Sequence, residues 1–124
     1  MIVLDTSVLI ECLSGPCLLA PELVRHIDAG DRMSVPALVL YEWLRGPRTA
    51  SELALQERLF PSARALAFGP AEAEISAALY RRLKRPRGRE IDIAIAACAL
   101  ARNAELWTLN PADFKDIPGL RLTA

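Results

Sequence analysis

Residues Ile2-Val3-Leu4 form an unbroken apolar run that stops at a carboxylate, Asp5, and is followed by the hydroxyls of Thr6 and Ser7. A short apolar run without alternation suits a strand covered on both faces, the setting of a parallel sheet with helices on either side. Thr6 and Ser7 offer an N-cap for a helix over the apolar segment Val8 to Leu13. Ligands in open α/β sheets are met outside the carboxyl ends of the strands. The strand–Asp–helix opening therefore puts Asp5 where a site would form. The plain alternative is that Asp5 only caps a helix.

The remaining chain repeats this alternation. Helices are expected from Asp5 to Gly15-Pro16, over Pro21 to Ala29 with Gly30 past the end, and from Pro36 through Arg45 to a stop at Gly46-Pro47. Three more are expected over Thr49 to Leu59, Ala71 to Lys84 and Ile91 to Arg102. Strands are expected at Arg32 to Val35, Ala65 to Phe68 and Glu105 to Leu109, with a short edge strand at Gly119 to Leu122. Leu23, Val24 and Ile27 share a helical stripe expected to face the core, with His26 off it at the surface. Leu53, Leu55 and Leu59 oppose Glu52, Gln56, Glu57 and Arg58, and the helix from Ile91 is apolar nearly all round, so it should be buried. Strands alternating with helices predict a three-layer α/β/α fold with a mainly parallel central sheet, one domain over residues 1–124.

Composition narrows the function classes. Fifteen basic and fifteen acidic residues cancel, which argues against a broad nonspecific nucleic-acid binder and leaves room for a local basic patch. Near-zero net charge also favours self-association. Cys12, Cys17 and Cys98 are odd in number and lack CxxC spacing, and one His cannot complete a Cys/His zinc site, so all three are read as small core residues. No basic leader precedes the fold and no apolar run is long enough to cross a bilayer, so a cytoplasmic, non-membrane protein is expected.

Four acids occupy comparable places. Asp5 follows the first strand, Glu42 interrupts the apolar face of Leu38 and Val39, Asp92 opens the buried helix, and Asp113 follows the last main strand. Each has an ordinary explanation too: Glu42 can pair with Arg45 at i+3, and a helix dipole favours Asp92 in a first turn. The basic stretch Arg81 to Arg89, broken by Pro86 and Gly88, runs straight into Glu90-Ile91-Asp92. Such a run is usually a solvated surface, but beside acids it suits a site that holds a phosphate chain next to a metal. Clustered carboxylates repel, and a divalent cation offsets that repulsion. Oxygen donors alone favour Mg²⁺ or Mn²⁺, with two or three direct protein ligands and the remaining acids orienting water. Such an ion can activate a water and stabilise a phosphoryl transition state.

The chain resembles the PIN-domain ribonucleases, specifically the VapC-type toxins of toxin–antitoxin pairs. The matching blocks are Val3 to Ile10, Leu40 to Gly46, Asp92 to Ala97 and Leu106 to Phe114, in family order across nearly the full chain. The resemblance implies that Asp5, Glu42 and Asp92 are the core acids holding Mg²⁺ or Mn²⁺, with Thr6 and Thr108 as supporting hydroxyls and Asn110 at the rim. Many members carry an acid where this chain has Asn110. Asp113 matches the variant in which the acid comes later, with Asp116 as a lesser substitute, while Glu90 is either a peripheral acid or, the favoured reading, a first-turn helix residue paired with Arg89. The implied activity is hydrolysis of RNA phosphodiesters by a metal-activated water, leaving a 5′-phosphate and a 3′-hydroxyl. Arg45, Arg82, Lys84, Arg85, Arg87 and Arg89 are candidates for the RNA backbone on local charge. Implied partners are a second copy of the chain and an antitoxin protein, for which Leu40, Trp43 and Leu44 are either interface or core. The competing readings are an aspartyl phosphatase, which would want an acid at Ser7, a non-catalytic PIN-like module that binds RNA or a partner, and a PIN nuclease in a DNA-associated regulatory complex.

Overall fold

In the computed structural model, which describes residues 1–123, a four-stranded parallel sheet has the order β2-β1-β3-β4. The strands are β1 (Ile2–Leu4), β2 (Met33–Ser34), β3 (Glu105–Trp107) and β4 (Arg121–Leu122). β1 is central, and all three of its residues are buried, as an apolar run without alternation requires. Helices α1 (Thr6–Leu13) and α2 (Ala20–Asp28) connect β1 to β2. Helices α3 (Ala37–Arg45), α4 (Ala50–Leu59), α5 (Pro70–Arg82) and α6 (Glu90–Ala101) connect β2 to β3. The first crossover runs one way along the sheet and the second runs the other. Right-handed connections therefore place the two helix sets on opposite faces, giving the three layers expected.

α6 is the centre of the core. Every residue from Ile93 to Ala99 is buried, and its alanines let it lie against β1, β3, α3 and α5 at once. Val3, Leu4, Val8 and Leu9 meet Val39, Trp43 and Leu106 in the same cluster. The helix boundaries follow local chemistry. At the end of α2 the amides of Gly30 and Asp31 donate to the carbonyls of Ile27 and His26, each at 3.0 Å, with Gly30 at φ 79°. This double closure needs a left-handed residue, which glycine supplies without strain. Thr49 and Glu52 cap each other's amides at the start of α4.

Five expectations are corrected. Ala65 to Phe68 is not a strand: Leu66 makes one parallel bridge to Pro36 and the chain then leaves the sheet. On α2 only Leu23 is buried, while Val24 and Ile27 are exposed. His26 is part-buried, its ring packed 5.0 Å from that of Trp107 and its Nδ1 2.7 Å from Asp31. On α4 the polar Gln56 is buried and Leu59 is exposed. Gln56 goes in because its amide donates to the Phe60 carbonyl at 2.9 Å and the Ser62 hydroxyl at 3.3 Å, stitching the end of the helix to the following turn. Cys12 and Cys98 are buried as expected, but Cys17 is only half-buried, in a turn with φ 52°.

Candidate active site

The strand order reverses direction at β1, so the carboxyl ends of β1 and β3 form the topological switch point of the sheet. Asp5 leaves β1 there and Thr108 leaves β3. The Asp5 amide donates to the Trp107 carbonyl at 2.9 Å, tying the two strand ends together. Its carboxylate is buried and accepts three hydrogen bonds: from the Thr6 amide at 2.8 Å, the Thr108 hydroxyl at 2.7 Å and the Ser7 hydroxyl at 3.1 Å. Asp5 is thus an N-cap of α1 and more than a cap, because Thr108 reaches it from the far end of the chain. Burial still raises its pKa despite the three donors, and nearby Glu42 adds to the rise.

Glu42 is brought to the same place by α3. Its Oε1 accepts the Thr6 hydroxyl at 2.5 Å, so one residue, Thr6, touches both acids. Its Oε2 pairs with Arg45 at 3.3 Å. The two sequence readings of Glu42 therefore both hold, one on each oxygen. Trp43 is buried as core, Leu40 is partly buried against it, and Leu44 is exposed.

Asp92 stands in the first turn of α6. Its pKa is pushed up to about 6, mainly by burial and then by the negative charges of Asp5, Asp113 and Glu42, with Arg89 opposing. Asp5, Glu42 and Asp113 therefore all lie within electrostatic reach of Asp92. Asp113 is the outermost: it is exposed, in a 3₁₀ turn over Pro111–Asp113, and its carboxylate accepts no hydrogen bond among the described residues. Asn110 is also exposed. Its amide N–H donates to the Thr108 hydroxyl at 3.0 Å, so the backbone rather than the side chain supports the site.

Ser7 is the residue that sequence reasoning passed over. It donates to Asp5 and accepts from the Leu109 amide at 3.1 Å, closing a ring of polar contacts between the two strand ends. Its signal was present in the Asp5-Thr6-Ser7 triplet, but a hydroxyl two residues on reads equally well as helix capping. Glu90 accepts the Gly88 amide at 3.1 Å and does not pair with Arg89. Arg89 instead grips Asp116 at 2.6 Å, so the charges of both are engaged with each other. Arg82, Lys84, Arg85 and Arg87 are exposed and make no ion pair among the described residues. Lys84 and Arg85 line a cavity of about 490 Å³ with Arg89, Ala112, Asp113 and Asp116, directly beside the acids.

Asp5, buried, and Asp92, half-buried, both have raised pKa values, and with hydroxyls and amides for neighbours they fit a hard divalent cation. No nitrogen or sulfur donor joins them, which disfavours zinc. Among the described residues no three His, Cys, Asp or Glu side chains are close enough to hold one ion jointly. Direct ligation by one or two carboxylates with water in the remaining positions, as Mg²⁺ prefers, suits that spacing.

Fold and site together define an α/β protein with converging acids at the switch point of a parallel sheet. The chain belongs to the PIN domain family, whose profile matches residues 2–120. It is 32% identical over 123 residues to ribonuclease VapC19 of Mycobacterium tuberculosis strain H37Rv, covering 98% of each chain. Among solved structures it resembles DNA-bound VapBC from Salmonella typhimurium, with a TM-score of 0.78, 24% identity and 98% and 96% of the two chains covered. VapBC2 from Rickettsia felis bound to a promoter DNA fragment gives a TM-score of 0.76 at 22% identity, covering 99% and 98%. A toxin–antitoxin complex from Klebsiella pneumoniae gives 0.68 at 25% identity, covering 97% and 95%. Among the described residues no helix is long and apolar enough to cross a membrane.

Proposed function

We infer that the chain is a metal-dependent endoribonuclease, the toxin of a toxin–antitoxin pair, working in the cytoplasm. The observation that carries the reading is that Thr6 joins Asp5 and Glu42 at the switch point, with Thr108 also on Asp5 and Asp92 within electrostatic reach of both acids. Full-length similarity to a named ribonuclease supports the same class of chemistry.

Asp5 and Asp92 would hold Mg²⁺ or Mn²⁺, with Glu42 and Asp113 as acceptors for water around the ion. A cation bound there supplies positive charge that makes a water more acidic and offsets the charge building on the phosphoryl group. The residues of the chain do the rest. Thr108 and Ser7 fix the rotamer of Asp5, and Thr6 fixes that of Glu42, so the acids need no rearrangement when substrate arrives. Lys84 and Arg85, lining the cavity beside Asp113, hold the RNA backbone, with Arg82 and Arg87 of the same basic stretch and Arg45 beside Glu42 as further cations. Asn110, exposed beside Thr108, is the polar residue for a base or sugar.

An antitoxin protein and a second copy of the chain are the expected partners. The exposed Tyr41 and Leu44 on α3 and Leu18, Val24 and Ile27 around α2 give apolar surface for such contacts. Association with promoter DNA, as in the Rickettsia felis assembly, would come through the partner, because this chain has no excess of positive charge.

Incubating total RNA with the purified chain and Mg²⁺, then mapping 5′-phosphate ends, tests the reading. Discrete cuts are expected from wild type, with none in EDTA and none from folded Asp5→Asn or Asp92→Asn. Equal cleavage by wild type and both variants would overturn it.

A further inference from the structure

We propose that Arg89 is a positioning residue: it holds the turn bearing Asp113 against the start of the helix bearing Asp92, with Asp116 as its anchor. The inference rests on the reading of the acids as a divalent-metal site. Arg89 is the N-cap of α6, and its carbonyl accepts the Ile93 amide at 2.8 Å, so its backbone is fixed to the turn that carries Asp92. Its side chain leaves that helix and crosses to the segment after β3. Nη1 and Nη2 grip the Asp116 carboxylate as a fork at 2.9 and 2.6 Å, Nη2 also donates to the Asp113 carbonyl at 2.8 Å, and Nη1 donates to the Arg85 carbonyl at 3.3 Å.

One guanidinium thereby joins three pieces of chain: the basic loop, the first turn of α6 and the turn of Asp113. Only a planar group with several fixed N–H donors can bind a carboxylate bidentately and still reach two carbonyls; an ammonium cannot. Asp113 needs such a brace. Phe114 beside it is buried, but the Asp113 carboxylate is exposed and accepts no hydrogen bond among the described residues. Arg89 is therefore engaged with Asp116 and the Asp113 carbonyl on the wall of the cavity beside Asp113. Lys84 and Arg85, which line the same cavity without an acidic partner among the described residues, are left to meet phosphate.

Asp116 makes the role separable from RNA binding. Asp116→Asn breaks the fork at an exposed position, so the fold is expected to survive, which a thermal melt checks. The tests are a Mn²⁺ titration of the full chain, and kcat and KM on a labelled single-stranded RNA that wild type cleaves in Mg²⁺. Asp116→Asn should weaken Mn²⁺ binding and lower kcat by roughly 10-fold, the scale of outer-shell losses, with KM unchanged. Arg89→Lys should fall in the same direction, and Arg89→Ala/Asp116→Asn should be no worse than Arg89→Ala. An Asp116→Asn chain with wild-type Mn²⁺ affinity and kcat would overturn the proposal, as would one with a lowered KM, the result expected if a freed Arg89 took up phosphate. Asp92→Asn is the control. If it loses Mn²⁺ while Asp116→Asn does not, the positioning role alone fails; if it keeps Mn²⁺, the metal-site reading fails and this inference with it.

Discussion

Thr108 shows how much one hydroxyl can carry. It donates to a buried carboxylate and accepts the Asn110 amide, so losing it leaves Asp5 short of a donor. Thr108→Val should cost about 1–3 kcal/mol in denaturant unfolding, the usual penalty for an unsatisfied buried acceptor, and should lower cleavage roughly 10-fold. Asp92 makes a pH-dependent prediction. Its pKa rises from 3.8 to about 6 on folding, so the folded state binds the proton more tightly. Its contribution to stability is full below the unfolded pKa and is lost as pH rises through the folded one. In EDTA, Asp92→Asn should therefore melt higher than wild type near about pH 7.5, with the gap closing near about pH 4. Added Mn²⁺ should stabilise wild type and leave the variant unmoved. A wild-type chain that melts higher than Asp92→Asn in EDTA at neutral pH would contradict the strain assigned to this acid. At this scale the sequence singled out Asp5, Glu42 and Asp92 because each breaks an apolar pattern, and the fold brings the three near one another. It was a poor guide to Arg89, whose partner Asp116 lies 27 residues away and is invisible to local charge counting.

Elements were legible where their chemistry is local. The apolar runs of β1 and β3, the Pro36 start of α3 and the Gly30 end of α2 were readable because strand burial and helix caps depend on neighbouring residues. The errors were tertiary. Helical spacing placed Leu23, Val24 and Ile27 on one face but could not say that the core covers only Leu23. Likewise Ala65 to Phe68 has the composition of a strand, yet Leu66 meets the sheet at a single bridge beside Pro36. The packing of α5 on α6 supplies an element-scale test. Glu72 of α5 is buried and is 3.6 Å from Arg102 at the end of α6, which also donates to the Cys98 carbonyl at 3.0 Å. Arg102→Ala would leave a buried carboxylate without its cation, so it should cost on the order of 3 kcal/mol. Glu72→Gln/Arg102→Ala should recover part of that in urea unfolding, and a double variant less stable than Arg102→Ala alone would rule out the pair as the cause.

For the whole molecule, topology does the work that no single segment does. Reversal of strand order at β1 brings acids from opposite ends of the chain to one edge of the sheet, where α3 and α6 add Glu42 and Asp92. The order β2-β1-β3-β4 could not be read from the chain in isolation, since alternating strands and helices fix a parallel sheet without fixing which strand sits in the middle. The acids, once met, repel one another, and that repulsion is the reason to expect a cation among them. The most direct measurement is anomalous diffraction from a Mn²⁺-loaded crystal of the chain. A single strong peak is expected at about 2.1 Å from carboxylate oxygens of Asp5 or Asp92, with Glu42 and Asp113 facing it across water. A peak lodged elsewhere, or none at saturating Mn²⁺, would contradict the account.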